Sequence, residues 1–129
     1  MDIDWLRSVC LSFPQTTEQM QWGDDLVFKV AGKMFAVAPL CPAPVILSFK
    51  CSGEDFADLT EREGFIPAPY MARAQWVAMQ PEASMPVTEL KRLLRNSYDL
   101  VVAKLPKKTQ AELMKTAPAP KKAKGIGRG

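Results

Sequence analysis

Hydrophobic positions recur at helical spacing near both ends of the chain and alternate with polar ones in its middle. From Asp2 to Phe13 the residues Ile3, Leu6, Cys10 and Phe13 form one apolar stripe, with acids at the start and Pro14 as a stop. This pattern predicts an amphipathic helix. Three strands follow. Leu26, Phe28 and Val30 alternate with Val27 and Lys29; Met34, Ala36, Ala38 and Leu40 with Phe35 and Val37; Val45, Leu47, Phe49 and Cys51 with Ile46, Ser48 and Lys50. They predict an antiparallel meander, and Thr17 to Trp22 adds a possible edge strand broken at Gly23.

Register follows from parity, because a slip of one residue turns a whole strand over. Pairing Leu40 with Val45 sets Ala38 against Leu47 and Ala36 against Phe49. Keeping Leu26 and Phe28 on that face requires an odd loop at "VAGK", so a three-residue turn with Gly32 left-handed is expected. Ser52 suits the N-cap of a helix over residues 53 to 63, with Phe56 and Leu59 inward and Gly64 as its stop. Pro67 and Pro69 forbid a helix through "FIPAPYMARAQWVAM", whose last part reads as a further strand. The strongest helical pattern begins near Pro86: Val87, Leu90, Leu94, Tyr98, Val101 and Leu105 recur at spacings of three and four. Pro106 interrupts it, and "KKTQAELMK" supplies another turn or two.

These elements predict an α+β fold, an antiparallel sheet of about five strands with helices on one face in a two-layer sandwich. One domain over residues 1–116 fits a chain of 129 residues that is 47% hydrophobic. Residues 117–129, "APAPKKAKGIGRG", offer only Ile126 as an anchor and read as a basic disordered tail. No apolar run approaches the roughly 20 residues of a membrane-spanning helix, and "MDID" is no signal peptide, so no membrane role and a cytoplasmic location are expected.

Candidate chemistry is sparse. The chain has no histidine, which excludes the common triads, Cys-His dyads and zinc fingers. No glycine-rich phosphate loop is present. Three irregularly spaced cysteines suit a reducing compartment. Cys41 and Cys51 fall at opposite ends of a strand, on the order of 20 Å apart and too far for a bridge. The acids Glu54, Asp55, Asp58, Glu61 and Glu63 are read as helix-start and solvated charges rather than metal ligands. No enzyme activity, cofactor or metal is expected.

Charge is lopsided. Residues 1 to 65 sum to −5 and residues 66 to 129 to +8, yet four of those positive charges lie in the tail. Nucleic-acid contact must therefore come from a local patch. Candidate positions are Tyr70, for stacking, Arg73, for a phosphate, and Lys91, Arg92, Arg95, Lys104, Lys107 and Lys108 on the last helix and beyond. Any polyanion role depends on these cations converging. Trp76 is expected in the core beneath that helix.

"APYMARAQW" followed by "SMPVTELKRLLRNSYDLVVAKLP" resembles the MmcQ/YjbR family, small bacterial proteins described as DNA-binding. The resemblance covers about residues 1 to 115 and includes "MQWGDD". Trp76 matches the family's tryptophan, Arg73 its basic residue, and Ser97 with Tyr98 its helical pair; Ala72 and Gln75 stand where the family often has Asn and His. The resemblance implies an antiparallel sheet with helices on one side, similar to frataxin-like and secretion-chaperone-like folds, and weak, backbone-directed DNA contact without catalysis. The alternative expectation is a protein-interaction or chaperone-like module that holds a protein partner or a second copy of itself.

Overall fold

The computed structural model describes residues 2–69 and 71–116. Tyr70 and the tail at 117–129 lie outside the described residues. The helix α1 spans Ile3–Leu11, with the Asp2 carboxylate accepting from the Asp4 N–H at 2.9 Å. It leads into β1 (Thr16–Gln21), β2 (Asp25–Val30), β3 (Lys33–Pro39) and β4 (Leu47–Lys50). Next come α2 (Gly53–Leu59), β5 (Phe65–Pro67), a single 3-10 turn at Ala72–Ala74, β6 (Trp76–Met79), α3 (Val87–Ala103) and α4 (Lys107–Thr116). The sheet has six strands in the order β1-β2-β3-β4-β6-β5, and every neighbouring pair is antiparallel.

The expected pairing of Ala36 with Phe49 is present. Parity between β2 and β3, however, is solved differently from the expectation. Their turn has two residues, Ala31 and Gly32, with φ of 51° and 79°, the sense that matches the twist of a tight hairpin. Phe28 lies opposite Ala36 but Lys29 lies opposite Met34, so Phe35 is an extra residue in β3. That bulge, not a longer loop, keeps Phe28 and Ala36 on the core face.

The bulge also frees a carbonyl from the ladder. The Ser97 hydroxyl of α3 donates to Phe35 O at 2.6 Å and accepts from the Lys50 N–H at 3.0 Å. One fully buried side chain thus ties α3 to β3 and to the end of β4. Beside it the Tyr98 hydroxyl donates to Pro14 O at 2.6 Å, and its ring meets Phe35 edge-on with centroids 5.5 Å apart. The matched Ser-Tyr pair therefore locks the helix layer to the sheet.

Two apolar clusters lie on opposite faces of the sheet. The larger includes Leu6, Cys10, Phe28, Phe35, Leu47, Phe49, Leu93 and Leu94 and fills the space beneath the helices. Burial pushes the Cys10 thiol up to about 12 and the Cys51 thiol up to about 11. The smaller cluster holds Val27, Val37, Ala68, Trp76 and Ala78, and among the described residues Met34, Val45, Ile66 and Met71 pack against it.

Three further expectations change. The helix α2 stops at Leu59 instead of reaching residue 63, because Thr60 caps it and turns the chain toward Gly64. Gly64, at φ +88°, is wanted for a close approach, since a Cβ there would stand 2.6 Å from Ala83 Cα. The short strand β5 forms before the second proline, its edge position tolerating the N–H that Pro67 lacks. Trp76 is buried, as expected, but belongs to the cluster on the face away from the helices.

Candidate nucleic-acid interface

Strand ends and the helix end decide which cations share solvent. The β2–β3 turn, the end of β4 and the start of β6 lie at one end of the sheet. There Lys33, Lys50 and Lys104 line one cavity of about 420 Å³ together with Met34, Trp76, Val101 and Leu105. Lys50 and Trp76 sit directly opposite each other on β4 and β6. The Lys50 ammonium donates to Ala74 O at 2.7 Å. This contact brings in the neighbouring 3-10 turn and its exposed Arg73. The Lys50 pKa is lowered, first by partial burial and then by repulsion from Lys104. Among the described residues, no carboxylate forms an ion pair with Lys33, Lys50, Arg73 or Lys104.

The cations of α3 are arranged otherwise. The Arg92 guanidinium faces Asp55 at 3.7 Å. Arg95 pairs with Asp99 at 3.1 Å and lies over the rings of Phe13 and Tyr98, 5.4 and 5.2 Å from their centroids. Both are thereby committed to neighbours within the fold. Lys91, Lys107 and Lys108 are exposed, but none lines the sheet-end cavity. Of the sequence candidates, Lys104 lines the sheet-end cavity and Arg73 lies on the adjoining turn, Arg92 and Arg95 face carboxylates, and Tyr70 lies outside the described residues. Lys33 and Lys50 were not singled out by sequence reading. The register offered a signal, since setting Ala36 against Phe49 puts Lys50 level with the start of β3.

A second concave surface adjoins the first. Trp22, Asp25, Met34, Val37, Pro39, Val45, Ser48, Pro69 and Met71 line a cavity of about 390 Å³ on the face away from the helices. Met34 borders both cavities. Trp22 is 66% exposed, with φ of 49°, a left-handed conformation that a bulky residue seldom adopts. Gln75, beside Trp76, is likewise left-handed at φ 62°, and its amide packs against Gly53, where a Cβ would come within 3.0 Å of Nε2. Among the described residues four non-glycine residues have this conformation, and of these one is the tryptophan of the second cavity and one adjoins the tryptophan of the first.

No three His, Cys, Asp or Glu side chains among the described residues cluster to hold a metal ion. No helix among them is long and apolar enough to cross a membrane.

Comparison with known proteins agrees with this architecture. The YjbR family model matches residues 11–100. A solved Deinococcus radiodurans protein described by the family-model domain DUF419 is 32% identical, with 87% of each chain covered and a TM-score of 0.78. A solved Pseudomonas syringae protein shares the fold at 18% identity and a TM-score of 0.63, over 78% of this chain and 98% of its own. No curated protein matches the chain.

Proposed function

The chain belongs to the YjbR family, and on that premise we propose that it is a non-enzymatic cytoplasmic protein that binds the phosphates of nucleic acid through Lys33, Lys50, Arg73 and Lys104. The observation that carries this reading is the placement of three lysines around one cavity, with Arg73 on the adjoining turn and no described carboxylate paired to any of them. Lysine and arginine meet phosphates without reading sequence, so contact of this kind is backbone-directed and weak. Three free cysteines support a reducing compartment.

The test is fluorescence anisotropy with labelled single-stranded DNA at low salt. Neutralising four phosphates makes affinity fall roughly 50-fold between about 50 and 200 mM salt. Substituting Lys50→Ala and Lys104→Ala together lowers affinity and flattens that dependence, whereas Lys91→Ala with Arg92→Ala does neither. If the second pair costs more than the first, α3 is the binding surface. Absence of binding at tens of micromolar protein, inside the usual non-specific range, removes the proposal.

A further inference from the structure

Resting on that phosphate reading, we infer that the apolar cavity beside the lysines receives an unpaired base, so that the preferred ligand is a single strand and not a duplex. The two cavities meet at Met34, so a strand with phosphates on Lys33, Lys50 and Lys104 passes directly onto the second surface. That surface offers what a splayed base needs. Trp22 supplies an exposed aromatic face on a left-handed backbone. Met34, Val37, Val45 and Met71 supply an apolar floor and walls. Stacking of this kind tolerates any sequence, because every base has a π-face.

Charge fixes the direction of the strand's parts. Asp25 is the charged group of the apolar cavity and forms no ion pair among the described residues. Its carboxylate repels phosphate but accepts from the exocyclic amino group of a base, and the Ser48 hydroxyl lies in the same lining. Phosphates therefore gather at the lysine end and bases at the Trp22 end. A paired base inside a duplex presents neither its face nor its pairing edge to such a cavity. A purely apolar ligand leaves the lysines unused.

The decisive experiment compares three labelled probes by anisotropy: a short oligodeoxycytidine, the same length of backbone with abasic sites, and the corresponding duplex. The base-bearing single strand is expected to bind about tenfold more tightly than the abasic strand, as one stacked base warrants, and also more tightly than the duplex. Trp22→Ala, at an exposed position, and Val45→Gln, a neutral polar substitution inside the cavity, each abolish this preference while leaving abasic affinity unchanged. Circular dichroism melts confirm that both variants fold. Equal affinity for abasic and base-bearing strands, a preference for duplex, or a preference that survives in both variants overturns the inference and leaves the phosphate reading standing. Failure of all three probes to bind instead removes the phosphate reading, and this one with it.

Discussion

The two faces of the sheet are built to different ends. Beneath the helices Phe13, Phe28, Phe35 and Tyr98 interlock, with ring centroids 5.3 to 6.5 Å apart, and Ser97 satisfies backbone groups of two strands at once. The other face has a small apolar cluster, packed against by the partly buried Met34, Val45, Ile66 and Met71 and flanked by cavities at the sheet end and beside Trp22. A face closed by well-packed, hydrogen-bonded layers supplies stability. A face closed only in part keeps aromatic and cationic groups accessible, and these are the groups that recognise a ligand.

Mutations should separate the faces by size of effect. The largest is expected from Phe35→Ala on the covered face, which opens a cavity at a fully buried ring and costs about 3–5 kcal/mol, read as a lower urea midpoint at unchanged slope. A loss comparable to that of a surface substitution would mean that the helix layer is not the stabilising one. Ser97→Ala strands the Phe35 carbonyl and the Lys50 N–H together, for about 2–3 kcal/mol by the same measurement. Tyr98→Phe, which removes one bond to Pro14, costs about 1 kcal/mol.

Alkaline pH tests the covered face without mutation. The Cys10 and Cys51 thiols are raised by burial to about 12 and about 11, and Tyr98 is also raised. The unfolded chain loses these protons first, so stability is full below about pH 9 and declines as pH rises above it, by about 1.4 kcal/mol per pH unit for each fully engaged group. A Cys10→Ala variant should show a shallower decline in denaturation midpoint between pH 9 and 11. An unchanged slope would show that Cys10 is not buried in solution.

The smallest effects belong to the open face. Trp22→Ala should change stability by less than about 0.5 kcal/mol. Trp22→Gly should be neutral or slightly stabilising, because glycine adopts φ 49° without strain. A clear loss in a thermal melt of either variant would assign Trp22 to packing and erase the contrast between the faces.

Much of this was legible because it is local. Alternation at Leu26, Phe28 and Val30, the cap at Ser52, and the stripe from Leu90 to Val101 all follow from the neighbours of each residue in the chain. The bulge at Phe35 was not legible, since a two-residue turn with a bulge and an odd loop satisfy the same parity. The candidate site was legible only in part. Arg73 and Lys104 stood out as cations, but Asp55 and Asp99 face Arg92 and Arg95, and spacing alone does not show this for the pair 37 residues apart.

By itself the sequence determined most of the elements, the helix-on-sheet architecture and the family, because periodicity, capping and motif are properties of short stretches of chain. Only the tertiary structure decided which face Trp76 serves and which cations stand together. Lys33, Lys50 and Lys104 come to line one cavity through strand order and the point where α3 ends, with the turn that carries Arg73 bonded to Lys50. Electrostatic attraction for a polyanion depends on distances through space, and these are set by folding and not by separation along the chain.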